Sequence, residues 1–274
     1  MALVQHSPRP RRASGLVLPG ALWTLALVAL GLLILPLVGL VLRAPWRQLP
    51  ATLADPEALQ SLRLSIVVSL ASLGLATVVG VPLAWVLARF EFPGKALVRA
   101  LCILPMVLPP VVGGVALLLA FGRRGVIGQP IAQATGLTLP FTTAGVVVAE
   151  TFVAMPFLIV TVEAGLRAMD RRFEDVAATL GASRWTAFRR VTLPLIWPSL
   201  AAGMALCWAR ALGEFGASIT FAGNFPGRTR TMPLAVYVEL ERNLDVAILF
   251  SLLLTAVSVL VLVSSRARMS SGGA

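Results

Sequence analysis

Six long runs of apolar residues organise the chain, and the short segments between them hold most of its charges. The runs extend over residues 16–42, 64–88, 100–121, about 140–162, about 195–222 and 246–265. Apolar runs of about 18 residues or more are typical of helices that cross a lipid bilayer. The pattern therefore predicts an all-α integral membrane protein with six transmembrane helices.

Composition and charge support this interpretation. The chain has 274 residues, of which 58% are hydrophobic and only 13% are charged, too few charges to cover a soluble domain of this length. Its net charge is +11. Of the 23 Lys and Arg residues, 14 lie in segments on the same side of the membrane as the N-terminus and eight lie in segments on the other side. The remaining one, Arg210, lies within a span. By the positive-inside rule both termini, including a tail at residues 1–15, are expected in the cytoplasm. Nucleic-acid binding is not indicated.

The first apolar run predicts a retained helix rather than a cleaved signal peptide. Residues 16–42 carry no charge and follow Arg9, Arg11 and Arg12. A signal peptide also begins with positive charge, but its apolar core is only about 7–15 residues long. We therefore expect a first transmembrane helix at 16–42.

Little in the sequence indicates chemistry performed by this chain. The one histidine is in the N-terminal tail, and the two cysteines, Cys102 and Cys207, lie in different apolar runs. Ser218 follows Gly216 and Ala217, but a serine nucleophile needs a base and no apolar run contains histidine. No HExxH or GxxxxGK[ST] motif occurs. We expect no metal, no cofactor and no enzymatic activity.

The segment 167–194, between the fourth and fifth runs, predicts two short helices. An apolar stripe with Glu174 and Asp175 in its first turn indicates one helix, which Gly181 ends. Ser183 caps a second helix, which Leu193-Pro194 is expected to end as the fifth span begins. Residue patterns alone leave two interpretations open: a docking surface for another protein, or an amphipathic segment on lipid headgroups.

The stretch FEDVAATLGASRWTAFRRVTLPL resembles the EAA loop found in permeases of bacterial ABC importers. The positions that match its spacing are Asp175, Val176, Ala177, Gly181, Val191, Leu193 and Pro194. Asp replaces Glu, Val replaces Ala and Val replaces Ile, all mild departures. The resemblance implies that 167–194 couples the chain to a separate ATPase subunit, which binds ATP and Mg²⁺.

A wider resemblance covers about residues 61–264. The segments ILPMVLPPVVGGVALLLAFGRRGVIG and GEFGASITFAGN are similar to permeases of molybdate importers. This implies a type-1 (MetI-like) permease core, a homodimer in membrane lipid, and a periplasmic or lipid-anchored molybdate-binding protein. Sulfate and thiosulfate permeases are similar here too, and tungstate resembles molybdate closely. An ATP-independent secondary anion transporter is the remaining alternative.

Polar residues inside the spans are candidates for the translocation pathway, because intramembrane charges are costly. They are Glu150, Arg210, Glu214 and Ser218. The opposing interpretation is a structural Arg–Glu pair that joins helices. Small residues at spacing four predict a tightly packed side of the fifth span; they are Ala201, Ala205, Ala209, Gly213 and Ala217.

Two further segments are hypotheses of the same kind. In the third run Pro105, Pro109, Pro110 and the pair at 113–114 predict a bend, either beside the pathway or as a static kink. The segment 224–231 after the fifth run is either a contact for the binding protein or a solvated turn.

Overall fold

The computed structural model of the chain describes residues 20–271, with side chains up to Val261 and at Val263. The predicted tail at 1–15 and the first residues of the first span, 16–19, lie outside the described residues. Every regular element from 20 to 271 is helical. Residues up to Ala44 and residues from Pro45 onwards form two separate compact units.

The first unit contains helix α1, Gly20–Leu42. Its 23 residues carry no charge, and its most apolar 18-residue stretch has a mean hydropathy of 2.9. At about 1.5 Å per residue the helix is long enough to cross a hydrocarbon layer of about 30 Å. This agrees with the span predicted from the first apolar run.

The second unit contains the remaining helices. They are α2 (Leu49–Ala54), α3 (Pro56–Arg89), α4 (Lys95–Val107), α5 (Pro110–Phe121), α6 (Gly128–Thr135), α7 (Thr143–Ala168), α8 (Arg172–Thr179), α9 (Arg184–Ala187), α10 (Leu193–Leu212), α11 (Gly216–Ala222), α12 (Met232–Arg242) and α13 (Leu244–Ser271). One 3₁₀ turn, Trp46–Gln48, precedes α2, and one π-helical turn, Phe188–Thr192, joins α9 to α10.

The third predicted span is a bent pair of helices. The axes of α4 and α5 differ by 120° across the break at Leu108-Pro109. Pro109 and Pro110 have no backbone N–H, so the break leaves no donor unsatisfied at these two positions. The predicted bend is confirmed, and this pair with the five other long apolar helices accounts for the six predicted spans.

The fifth span differs from its prediction at both ends. The helix is continuous from Arg184 to Leu212, so Leu193-Pro194 does not end it. The N–H of Leu193 bonds to the carbonyl of Phe188, five residues earlier, and this wide turn accommodates the missing donor of Pro194. At the far end the predicted continuous helix to 222 is wrong, because the chain breaks between Leu212 and Gly216.

The predicted small-residue stripe coincides with a buried surface only at Ala217, which is fully buried on α11. Ala201, Ala205 and Ala209 are only half-buried, and Gly213 lies beyond the helix end. The buried side of α10 instead includes Gly203, Cys207 and Ala211, two positions further along and so on nearly the opposite face. Residues 203, 207 and 211 also repeat at spacing four, so spacing alone did not identify which face meets α7.

Helix α7 is the centre of the second unit. Of its most apolar stretch, 61% is buried, the largest share among the membrane helices. Glycines let α3 and α10 approach it closely: a Cβ at Gly80 would lie 3.1 Å from Met155 Cγ, and a Cβ at Gly203 would lie 3.2 Å from Leu158 Cδ1. Small residues serve this purpose where helices pack in lipid.

Helix α12 was not predicted, and its sequence explains why. It has 11 residues and ends in charged positions, so it gives no apolar run. It packs through Met232 and Ala235 against Ala58 of α3 and Phe250 of α13. Helices α2 and α6 are shorter still and were missed for the same reason.

Replacing Gly165 with alanine tests the close contact between α7 and α10. A Cβ there would lie 2.4 Å from Cβ of Ser199. We expect a loss of about 1–3 kcal/mol in stability, measured as a lower unfolding temperature of the purified protein in detergent. Gly74→Ala on α3 is the matched control, because a Cβ there meets nothing within 4 Å. An unchanged unfolding temperature for Gly165→Ala would contradict the packing described here.

Candidate functional site

The predicted coupling segment folds as two helices joined at Gly181. In α8 the acids Glu174 and Asp175 lie in the first turn, as expected. Gly181 has φ of +81°, its N–H bonds to the carbonyl of Ala178, and the next N–H bonds to that of Ala177. This is a Schellman ending, which favours glycine. Ser183 then caps α9 by accepting a hydrogen bond from the N–H of Thr186, as predicted.

Four apolar side chains of this segment point away from the protein. The exposed fractions are 55% for Phe173, 56% for Val176, 82% for Leu180 and 68% for Trp185. We call these four residues the apolar ridge. Positions 173, 176 and 180 share one face of α8 because of their spacing. A cluster of large exposed apolar side chains beside charged ones is typical of an interaction site.

The residues of the EAA-like pattern lie within this segment but differ in exposure. Asp175 and Val176 are exposed and Ala177 is half-buried on α8. Val191 lies in the π-helical turn, and Leu193 and Pro194 begin α10. Their assignment to ATPase coupling stays a prediction.

One functional candidate escaped the sequence interpretation: Glu174, next to Asp175. Its Oε1 atom lies 2.9 Å from Nη2 of Arg89, the last residue of α3. The same oxygen accepts a hydrogen bond of 2.6 Å from the hydroxyl of Thr192, which is buried at the start of α10. A single carboxylate oxygen therefore joins α8 to α3 and α10.

Aromatic rings surround this junction. The guanidinium of Arg89 lies over the ring of Trp85 at 5.4 Å, which is cation–π distance. The ring of Phe188 contacts Trp85 edge-on at 5.4 Å and stacks on Trp185 at 5.6 Å. A cavity of about 240 Å³ lies between α8 and α9, and its lining includes Glu174, Asp175, Arg184, Trp85 and Phe188.

Further ion pairs lie at the same end of the bundle. Glu163 of α7 binds Arg99 of α4 at 2.5 Å and Arg167 of its own helix at 3.0 Å. In the turn between α3 and α4, Lys95 donates a 2.7 Å hydrogen bond to the exposed Glu91. This hydrogen bond and the lysine charge lower the pKa of Glu91. Ion pairs therefore connect several elements at the end of the bundle that carries α8.

The four candidate pathway residues fall into two groups. Glu150 is buried on α7, and Oγ of Ser72 on α3 lies 3.0 Å from its Oε2 and 3.1 Å from the carbonyl of Val147. Arg210 pairs instead with Glu214, Nη2 to Oε2 at 2.7 Å. This distance is that of an ion pair.

The Arg210–Glu214 pair spans the break between α10 and α11. The other oxygen of Glu214 accepts the N–H of Ala217, which caps α11. Ser218 is fully buried on α11, and its hydroxyl has no hydrogen-bond partner within the described chain. The predicted continuous Arg/Glu/Ser face is therefore divided between two helices.

The break after α10 lies beside the break between α4 and α5. A Cβ at Gly216 would lie 2.6 Å from Cβ of Pro110, and a Cβ at Gly114 would lie 2.5 Å from Cβ of Thr220. Helices α5 and α11 pack directly on each other at these glycines. The two interruptions of the predicted spans therefore form one region.

The segment 224–231 is a structured loop. Arg230 binds Glu57 at the start of α3 and donates a 2.8 Å hydrogen bond to Asn224. The hydroxyl of Thr229 is buried and accepts the N–H of Phe225. Arg228 contributes its carbonyl to Thr143 of α7. Residues 225–228 are nevertheless exposed and form a turn, so a solvated turn and a contact with a binding protein both stay predictions.

A family model matches most of the second unit. Residues 80–270 fit the family described as "Binding-protein-dependent transport system inner membrane component". The chain belongs to this family. Together with the apolar helices, membership makes it a multi-pass permease of the cytoplasmic membrane. Among residues 20–271 no group of His, Cys, Asp and Glu side chains is arranged to hold a metal ion.

Two curated relatives and one solved structure are similar to this permease. It is 43% identical over 251 residues to "Molybdenum transport system permease protein ModB" of Mycobacterium bovis, covering 92% of this chain and 95% of that protein. It is 35% identical over 255 residues to "Sulfate transport system permease protein CysT" of Salmonella typhimurium, covering 90% and 92%.

The solved structure is a chain of a bacterial ABC transporter involved in import of the acidic polysaccharide alginate. It aligns with a TM-score of 0.70 at 16% identity, over 91% of the permease and 94% of that chain. At this identity the likeness concerns the fold alone. It confirms the predicted all-α, type-1 (MetI-like) permease fold.

Replacing Ser72 with alanine tests the role of the buried Glu150. The substitution removes the hydroxyl donor from a carboxyl group that is 1% exposed. We expect a loss of about 1–3 kcal/mol in the stability of the permease, measured by thermal unfolding in detergent. Ser69→Ala is the control, since Ser69 is equally buried but donates only within α3, to the carbonyl of Ile66. Equal effects of the two substitutions would refute the assignment.

Proposed function

We propose that this chain is the permease subunit of an ATP-driven importer that moves molybdate, or the closely similar tungstate, across the cytoplasmic membrane. The observation that carries the proposal is the 43% identity with a molybdenum permease over 92% of the chain. The identity to the sulfate permease is lower over a stretch of similar length. A sulfate or thiosulfate importer is the second candidate, because that similarity also extends along 90% of the chain.

The apolar ridge supports an ATPase partner on the cytoplasmic side. It lies on the segment with the EAA-like spacing, and six arginines in 167–190 favour the cytoplasm for this end. Both termini are then cytoplasmic, and the loop 224–231 faces the side where a molybdate-binding protein delivers its anion. The ATPase subunit binds ATP and Mg²⁺, and the permease itself performs no chemistry.

The buried polar centre supports a weakly binding path rather than a tight anion site. It consists of Glu150, Arg210, Glu214 and Ser218. Arg210 is paired with Glu214 at 2.7 Å, which leaves little free positive charge for a dianion. Conduction needs contacts weak enough for the ion to leave, and hydroxyl or backbone groups supply these. The pathway would lie between two copies of the chain, which alternate between outward and inward access.

Uptake in cells tests the cargo. We expect that deletion of the gene lowers accumulation of labelled molybdate at least tenfold at submicromolar concentration, a typical range for a high-affinity importer, and leaves sulfate uptake unchanged. Expression of the chain from a plasmid should restore molybdate uptake, and unlabelled tungstate should compete. Loss of sulfate uptake with normal molybdate uptake would instead establish the second candidate.

Replacing Leu180 with aspartate tests the apolar ridge as the ATPase contact. Leu180 is 82% exposed, so its replacement should leave the fold unchanged. A charge in the centre of an apolar contact should weaken binding by about 2 kcal/mol or more, measured by co-purification and by binding of the ATPase subunit to the solubilised permease. Leu137→Asp is the matched control, with 69% exposure and a place outside the coupling segment. Equal ATPase binding by both variants would exclude the ridge.

A further inference from the structure

Helix α8 is attached to the rest of the permease mainly by polar contacts. None of its residues is buried, so apolar packing holds it only weakly. Glu174 lies roughly 120° around the helix from the centre of the apolar ridge, on the side that faces the protein. Its side chain is 26% exposed, and that of its partner Arg89 is only 8% exposed. The helix therefore has one face for a partner and one anchoring carboxylate.

The two contacts of Glu174 Oε1 lead to two different membrane helices. Arg89 is the last residue of α3, and Thr192 immediately precedes α10. Both ends of this junction are fixed. Trp85 covers the guanidinium of Arg89 at 5.4 Å, and Thr192 is 1% exposed. A movement of α8 thus acts on both helices at once.

Both helices continue to the buried polar centre. Ser72, which donates to Glu150, is 17 positions before Arg89 on α3, and Arg210 is 18 positions after Thr192. At about 1.5 Å per residue each distance is roughly 25 Å along a helix. Two continuous helical stretches of nearly equal length therefore connect one carboxylate oxygen to the two sides of the centre.

We propose that Glu174 is a positioning residue for energy coupling: its carboxylate links α8 to Arg89 and Thr192, so that ATPase-driven displacement of α8 moves α3 and α10 together. Without this link, α8 still moves with the ATPase. The loop around Gly181 and the π-helical turn then change shape, so that the displacement of α8 does not reach α3 and α10. ATP hydrolysis then continues with little transport. The inference rests on the proposed function, because it assumes an ATPase docked on the ridge.

The test uses the complete transporter: permease, ATPase subunit and binding protein in proteoliposomes. The measured quantity is the amount of molybdate taken up per ATP hydrolysed. Glu174→Gln keeps the size of the side chain and removes its charge, and Thr192→Val removes the hydroxyl without changing shape. We expect each variant to lower this ratio by about fivefold, with an ATPase rate within about twofold of wild type.

The double variant, Glu174→Gln with Thr192→Val, distinguishes a shared link from two separate defects. Because both partners meet at the same oxygen, we expect its ratio to be no lower than that of the more affected single variant. Glu239→Gln on α12 is the control for charge removal, since Glu239 has only a weak pair with Arg242 at 3.7 Å. It should keep the wild-type ratio.

Two results would overturn the inference: a wild-type ratio in both single variants, or uptake and ATPase rates that fall in proportion. Should Glu174→Gln fail to assemble, Thr192→Val decides, because it leaves the Arg89 ion pair intact. Failure of the proposed function is separate: wild-type proteoliposomes would then accumulate no molybdate, and the ratio would be measured with the sulfate that they transport.

Discussion

The structure depends on the rule that backbone N–H and C=O groups have no water to bind inside a membrane. A helix break is tolerated there only where protein covers it. The breaks at Leu108-Pro109 and between Leu212 and Gly216 meet this requirement by covering each other, with Gly216 against Pro110. Prolines remove donors on one side, and the carboxylate of Glu214 accepts the buried N–H of Ala217 on the other. Irregular backbone is thereby concentrated in one protected region.

The same region is where charge enters the interior. Arg210 precedes the second break and Glu214 lies within it, and Glu150 lies on α7, the helix that packs against α11. Glycines at 114 and 216 bring α5 and α11 together without bulky side chains. This region combines interrupted helices, paired charges and small residues, whereas the contact of α7 with α3 and α10 is mainly apolar apart from the bonds of Ser72.

The sequence was informative where the physics is local. Apolar runs predicted the spans, Gly181 and Ser183 predicted the ends of α8 and α9, and the prolines predicted the bend before α5. Prediction failed where contacts connect distant positions. Glu174 meets Arg89 across 85 positions of the chain, and no pattern around either residue identifies the other. The EAA-like spacing selects Asp175, and nothing in the sequence distinguishes its role from that of the neighbouring Glu174.

Other failures have equally specific causes. The break after Leu212 has mainly apolar sequence on both sides. The hydropathy pattern therefore predicted one continuous span where the backbone forms two helices. The π-helical turn allowed helix continuation through Pro194, against the usual effect of proline. Helix α12 has charged residues near its end and no long apolar run. It is stabilised by the packing of Met232 and Ala235 against α3 and α13. Each of these features is decided by neighbours in space.

The shared oxygen of Glu174 also limits how freely such loops can be exchanged during evolution. A graft of residues 167–194 into another permease would bring the carboxylate and Thr192 but leave Arg89 and Trp85 behind on the host's helix. The recombined protein would contain the recognition surface for a new ATPase without its anchor. A transplanted loop would need the end of α3 from the same source to keep the contact between Glu174 and Arg89.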